Sequence, residues 1–190
     1  TNVISEYMET WAILGSLYME NVCGVKNPRV GLLNNGTESH KGTALAVETY
    51  GKLSALPGIN FVGNIEGKEI PRGRCDVLVA DGFAGNIVLK LVEGMSRFAL
   101  KKVKGLFFSS LATKMSAVLF KKQFVSLKKE LDASEYGGAP FLGIAKPVIK
   151  AHGSSNETAV MNAVRQAIAY TKSGMIDAVK ENIQYMTVSE

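Results

Sequence analysis

The stretch Arg29-Val30-Gly31-Leu32-Leu33-Asn34-Asn35-Gly36-Thr37-Glu38-Ser39-His40-Lys41-Gly42 changes character in its middle. Arg29 to Leu33 is short and nearly all apolar, the pattern of a strand buried on both faces of a parallel sheet. Leu33 to Gly42 is polar and rich in turn formers, and a helical pattern comes after it. Two more stretches repeat the arrangement. Asp81-Gly82-Phe83-Ala84-Gly85-Asn86 comes after the apolar run Asp76-Val77-Leu78-Val79-Ala80. His152-Gly153-Ser154-Ser155-Asn156 comes after Pro147-Val148-Ile149-Lys150-Ala151. In an open α/β sheet such loops leave the carboxyl ends of the strands, where ligands bind. Glycine allows close backbone approach, and a helix starting just afterwards offers free N–H groups and a positive dipole end. The expectation is one anion site built from three loops.

The rest of the chain alternates in the same way. Ser5–Val22 has helical periodicity through Met8, Trp11, Ala12, Leu14, Gly15, Tyr18 and Met19, and Gly24 and Asn27-Pro28 end it. Thr43–Ala55 is a second helix, and Asn60–Ile65 alternates as a strand, Phe61 and Gly63 against Val62 and Asn64. Gly67–Arg74 reads as a loop, Cys75–Ala80 as a strand, and Asn86–Lys104 as a long helix. Phe141–Ala151, split by Pro147, is extended, and Glu157–Tyr170 and Gly174–Tyr185 are closing helices. Strands alternating with helices give an α/β fold with a parallel sheet covered on both faces.

The 190 residues suffice for one core plus an excursion. The two cysteines, Cys23 and Cys75, have no zinc or redox spacing, so a reduced, cytoplasmic setting is the expectation. There is no basic n-region leading into an apolar h-region at the start. The first residue is not Met, which points to processing or a fragment. No apolar run approaches the roughly 20 residues of a membrane span.

The net charge of +5 is unevenly placed. Nine basic residues lie between Arg97 and Lys129 with no Asp or Glu among them, leaving 13 basic against 17 acidic residues elsewhere. Such a segment calls for an anionic partner. It overlaps an amphipathic pattern. At about 100° per residue, Phe107, Phe108, Leu111, Ala112, Met115, Val118 and Leu119 fall in one arc of about 140°, with Phe120 an exception on the other side. Residues 105–138 are expected to form a projecting helical hairpin. Its apolar face either packs in a core or subunit interface or lies on an anionic membrane surface.

Residue by residue, the chemistry has two readings throughout. Lys41 is either a surface lysine after an Asn-Gly turn or a cation beside a phosphate, able to supply a proton when its pKa is lowered. Asn86 is either the N-cap of the long helix or an amide that holds a carbonyl or phosphate oxygen. Ser154 with Glu157 forms a capping-box pattern, and the same hydroxyls and N–H groups make an anion cradle. His40 and His152 are the only histidines, which leaves a triad or a metal cluster poorly supported. No Walker or GxGxxG motif is present. The apolar residues interleaved with the lysines argue against a nucleic-acid surface.

In combination these stretches resemble one family. Trp11-Ala12-Ile13-Leu14-Gly15-Ser16-Leu17-Tyr18, Asn27-Pro28-Arg29-Val30-Gly31-Leu32-Leu33-Asn34, Gly36-Thr37-Glu38, Lys41-Gly42, Cys75-Asp76-Val77, Asp81-Gly82-Phe83-Ala84-Gly85-Asn86 and Ala151-His152-Gly153-Ser154-Ser155 resemble the phosphate acyltransferases of bacterial phospholipid synthesis, the PlsX family. The resemblance implies a three-layer α/β/α Rossmann-like fold, similar to isopropylmalate dehydrogenase and phosphotransacetylase. It implies acyl transfer from acyl carrier protein to inorganic phosphate in a dimeric enzyme, with Lys41 and Asn86 as catalytic candidates. Asn34, Gly36, Thr37, Asp81, Gly82, Gly85, His152, Gly153, Ser154 and Ser155 become candidates for phosphate or substrate contact. Phe108, Leu111, Met115 and Leu119 become candidates for membrane or acyl-chain contact. No cofactor and no metal is expected. Family chains are much longer at the N-terminus, so residues 1–190 are expected to be the C-terminal portion of one acyltransferase domain. Two alternatives stay open: a phosphotransacetylase-like enzyme using a CoA thioester, and a non-catalytic module that binds membrane or carrier protein.

Overall fold

The structure is a computed structural model. It describes residues 2–132, 135, 137–153 and 155–186, apart from the side chains of Leu111, Ala112 and Lys114. The chain forms two compact units. One comprises Thr1–Gly85, Pro140–Val148 and Ala167–Glu190, the other Asn86–Ala139 and Ile149–Gln166.

The first unit is built on a three-stranded parallel sheet in the order β2-β1-β3, with β1 Arg29–Asn34, β2 Asn60–Glu66 and β3 Val77–Val79. β1 is central, and its Val30 and Leu32 are fully buried. Helices α1 (Ser5–Asn21) and α2 (Ala44–Ala55) supply Met8, Ala12 and Leu53 to the same apolar cluster, joined by Val79 from β3. Fully burying one such aliphatic side chain stabilises the fold by ~1.5–3 kcal/mol. The approach of α1 to β3 is close: a Cβ at Gly15 would lie 2.6 Å from Val77 Cγ1. Trp11, expected on the buried face, is 38% exposed, while Ile13 takes a buried place. The parallel α/β class matches the expectation and is compatible with a three-layer arrangement.

β2 departs from simple alternation. Gly63 has φ +91°, and the register with β1 slips between Val30↔Phe61 and Leu32↔Asn64. The extra residue is a β-bulge, which re-aims the strand. Asn64 and Ile65 are consequently both buried, contrary to the alternation expected from sequence. Residues Gly67–Arg72, expected as loop, form a 3₁₀ helix closed by Gly73 at φ +62°.

The amino ends of β1 and β3 are tied by charge. The Arg29 Nε and Nη2 groups donate to the two Asp76 carboxylate oxygens, each at 2.9 Å. The backbone completes a ring: Arg29 N–H reaches Asp76 Oδ2 and Asp76 N–H reaches the Arg29 carbonyl, both at 2.8 Å. Bidentate guanidinium–carboxylate pairing is the strong, directional form of the contact. A second seam joins α1 to α2, where Lys52 Nζ pairs with Glu6 and lies 3.7 and 3.6 Å from Glu9 and Glu48.

The chain leaves the first unit along α3 (Gly82–Phe107) and continues through α4 (Leu111–Leu119) and α5 (Lys121–Leu131). The expected helical periodicity from Phe107 onward is interrupted. Ser110 caps α4, its Oγ accepting from Thr113 N–H at 3.1 Å, so Phe107 ends the preceding helix and Phe108 lies in the turn between the two. Phe120, the exception in the helical projection, sits at the α4–α5 junction with its ring 6.3 Å from Phe107. Two three-residue strands, β4 Ala139–Phe141 and β5 Val148–Lys150, pair with each other. Gly137 fits against α6 (Glu157–Lys172): a Cβ there would lie 2.4 Å from the Ala163 nitrogen. Helix α7 (Met175–Glu181) lies in the first unit, as does Tyr170 near the end of α6, which packs edge-on against Tyr18.

Arg29 holds the Asp76 carboxyl at about 2, below its ordinary 3.8. The unfolded chain takes up a proton near 3.8 while the fold resists it down to about 2. The stabilisation is therefore complete above pH ~4 and is lost as pH falls through this window. Melting curves of the parent and Asp76→Asn should differ by several degrees at pH 5, and the gap should close by pH 2. A gap that stays constant with pH would show that the carboxylate charge contributes nothing.

Candidate active site at the carboxyl end of β1 and β3

β1 ends at Asn34, and its side chain organises the loop that runs on to Gly42. Asn34 Nδ2 donates to the Lys41 carbonyl at 2.9 Å, and Asn34 Oδ1 accepts from Asn35 N–H at 2.8 Å. The loop is thus pinned across seven residues by one side chain. Gly42 is required for the closure. Its φ is +97°, and a Cβ there would lie 2.4 Å from Asn34 Oδ1 and 3.0 Å from Ala46 Cβ. Gly36 lies under the loop's own side chains: its Cβ would be 2.9 Å from a Glu38 carboxylate oxygen and 3.0 Å from Lys41 Cγ. Lys41 is exposed.

The loop delivers the chain into α2. Thr43 is the cap, its hydroxyl oxygen accepting from Ala46 N–H at 3.2 Å. Next door, β3 delivers Ala80 and Asp81 into α3. Asp81 Oδ1 accepts from the N–H groups of Phe83 (2.8 Å) and Ala84 (2.9 Å). Asp81 is therefore the cap of α3, and the helix starts at Gly82. This corrects the expectation of a loop ending in an Asn86 cap. Asp caps as well as Asn does, and here Asp81, at the end of β3, accepts the N–H groups of the first turn. Gly82 and Gly85 lie in the first turn, and Asn86 is exposed in the next.

A cavity of about 460 Å³ opens here. Asn34, Asn35, Gly42, Thr43 and Asp81 line it with polar groups or bare backbone, and Met8, Leu32, Leu33, Leu45, Ala46, Ala80 and Ala84 make up its apolar wall. The two helix N-termini differ electrically. At α3 the Asp81 carboxylate already answers the positive end of the dipole. At α2 the cap is a neutral hydroxyl, so the positive end stays available to an anion. An anion held at α2 beside an apolar wall is an arrangement suited to joining a phosphate to an acyl group.

The other candidates have different settings. Thr37 faces a second cavity of about 400 Å³ with Tyr50, Val62, Gly63, Asn64, Ile65, Glu69 and Arg74. Asn86, His152, Gly153 and Ser155 lie in or adjoin the second unit's elements. There the His152 carbonyl accepts from Ser155 N–H at 3.0 Å, closing a turn before α6. The cap of α6 is Asn156, whose Oδ1 accepts from Ala159 N–H at 2.9 Å. It stands where a Ser154–Glu157 capping box was expected; Ser154 lies outside the described residues. Phe108, Met115 and Leu119 are 58%, 77% and 78% exposed, and the Leu111 side chain lies outside the described residues. Among the described residues no three His, Cys, Asp or Glu side chains gather to hold a metal ion. Nor is any of their helices long and apolar enough to cross a membrane. Gly42, Thr43 and Ala84 were not among the candidates. Gly42 carried the signal of a glycine in a turn-forming loop, and Thr43, standing before an apolar periodic run, that of an N-cap.

A parallel α/β sheet with a cavity at the carboxyl ends of its strands, beside helix N-termini, is the arrangement of the open α/β proteins that bind ligands at that place. Comparison with known proteins narrows the class. A family described as "Fatty acid synthesis protein" matches residues 1–178. A Brevibacillus brevis protein named Phosphate acyltransferase is 45% identical over 180 residues, covering 95% of this chain and 53% of its own length. Proteins of the same name from Exiguobacterium and Clostridium novyi are 47% and 46% identical, covering 93% and 92% of this chain and 53% and 52% of theirs. The chain belongs to this family, the phosphate acyltransferase (PlsX) family that its motifs resemble. It spans about half the length of the curated relatives it matches.

The loop closure can be tested without substrate. Gly42→Ala should cost about 1–3 kcal/mol in denaturant unfolding, because it combines a strained φ with a collision. Gly51→Ala, in α2 with nothing within 4 Å of its Cβ position, should instead stabilise by about 0.5–1 kcal/mol. Equal effects at the two sites would contradict the packing described for Gly42.

Proposed function

We propose that this protein is a phosphate acyltransferase that moves a fatty acyl group from acyl carrier protein to inorganic phosphate, giving acyl phosphate for phosphatidic acid and phospholipid synthesis. The observation that carries the proposal is the cavity at the ends of β1 and β3, with its neutral-capped α2 N-terminus and apolar wall. Family membership supports the reaction class.

A phosphate oxygen attacks the thioester carbonyl carbon, forming a C–O bond and a tetrahedral oxyanion. Collapse breaks the C–S bond, and the thiolate leaves. The hydrogen-phosphate proton ends on the thiol, with the Lys41 ammonium as the group that gives and regains it. The N–H groups at the start of α2 steady the phosphate, and Asn34 supports them by holding the loop. Asn86 remains the candidate amide for contact with the phosphate or the oxyanion. Asp81 is engaged as a helix cap, so its contribution is to the shape of the site. Gly36 admits the Lys41 stem. Thr37, Gly82, Gly85, His152, Gly153, Ser154 and Ser155 remain candidate substrate contacts.

The basic stretch Arg97–Lys129 fits an acidic carrier protein or an anionic lipid surface. Exposed Met115, Val118 and Leu119 on α4 fit a peripheral, cytoplasmic membrane contact. A homodimer is part of the same reading. No cofactor is required for the reaction as written.

The test is acyl-phosphate formation from palmitoyl-carrier protein and phosphate by the complete encoded protein. Lys41→Ala should lower the rate by about 10²-fold or more, the scale of general acid–base contributions, and acetyl-CoA should be a poor donor. Full activity in Lys41→Ala would remove the lysine from the chemistry. Preference for acetyl-CoA would favour a phosphotransacetylase.

A further inference from the structure

The Gly63 bulge turns a polar residue into the core. Asn64 is 5% exposed. Its Oδ1 is buried and has no hydrogen-bond partner. Native interiors keep few such orphaned acceptors, and each calls for an explanation. A leucine of similar size would fill the position and leave no oxygen unpaired. What leucine lacks is a donor, and the Asn64 donor is in use. Its Nδ2 reaches the Glu38 carbonyl at 2.8 Å.

That carbonyl is also the acceptor for Lys41 N–H, at 3.1 Å. The two lone pairs of one carbonyl allow both bonds. On its other side, the Lys41 carbonyl accepts from Asn34 Nδ2 at 2.9 Å. The peptide groups flanking Lys41 Cα are therefore both referred to the sheet. One is tied directly to the end of β1, the other through Glu38 to β2. With the Asn64 donor removed, the Glu38–Lys41 turn keeps its internal bond but loses this tie to β2.

We infer that Asn64 is a positioning residue that sets where Lys41 stands relative to the sheet. The inference rests on the role proposed for Lys41. The orphaned Oδ1 is the consequence of placing a donor in the core at this point, and the bulge at Gly63 is the backbone device that puts it there.

The test is a double-mutant cycle in the complete encoded protein: parent, Asn64→Leu, Lys41→Ala and both together. If Asn64 acts through Lys41, Asn64→Leu lowers kcat for acyl-phosphate formation about 10-fold in the parent and changes nothing further in the Lys41→Ala background. The same fold-loss in both backgrounds would show a merely structural residue and overturn the inference. A second readout needs no acyl donor. Hydrogen exchange at the Lys41 amide should quicken about 10-fold in Asn64→Leu, with the Val30 and Leu32 amides unchanged. An unaltered Lys41 amide would overturn the inference whatever the kinetics. If the parent makes no acyl phosphate but the localised exchange change is present, the proposed reaction fails and the positioning of the loop by Asn64 stands. Should Asn64→Leu not fold, Asn64→Ala removes the donor without adding bulk or charge, and the same two readouts apply.

Discussion

The hydrogen bond from the Asn34 amide to the Lys41 carbonyl is where the order of the sheet passes to a loop with no regular structure of its own. Everything upstream serves to place Asn34. β1 has parallel partners on both sides as far as Leu32, and β2 alone carries the pairing on to its last residue. Asn34 pairs with Glu66 in register, and Val30 and Leu32 anchor the strand in the core. The Arg29–Asp76 ring fixes the opposite end. Everything downstream inherits the position. Gly42 completes the closure because no side chain fits beside Asn34 Oδ1, and Thr43 then starts α2 at a defined point.

The cavity's chemistry depends on how two neighbouring helices are capped. Both begin at the carboxyl end of the sheet, and both line the same space. One is capped by a carboxylate and the other by a hydroxyl. A charged cap satisfies its helix dipole, whereas a neutral cap satisfies one N–H and leaves the field in place. The asymmetry directs an anion toward α2. The apolar side chains around it lower the local dielectric and strengthen whatever charge contacts form there.

Much of this was legible from residues alone. Arg29–Leu33 reads as a buried strand because it is apolar without alternation, and Thr43 reads as a helix start because a capping residue precedes an apolar period. The order and wording of the motifs pointed to the family. The misreadings share one cause, competition between similar local signals that tertiary context decides. Asp81 and Asn86 are both good caps, and the sheet's geometry gave the role to Asp81. Ser110 interrupts a helical period that otherwise runs smoothly from Phe107 to Leu119. Gly63 sits in an alternating strand pattern, and only the partner strand reveals that it is a bulge. Thr37 and Asn34 are three residues apart in sequence yet line different cavities. The turn that comes next, from Glu38 to Lys41, is tied to β2 by Asn64, a contact across 26 positions that no local pattern encodes.

The most direct measurement is a crystal structure of the complete encoded protein grown with inorganic phosphate. Phosphate density at the N-terminal turn of α2, against Gly42 and Thr43 and beside Asn34, is the expected result. Density in the cavity lined by Thr37 and Arg74, with the α2 turn facing only water, would contradict the placement of the site.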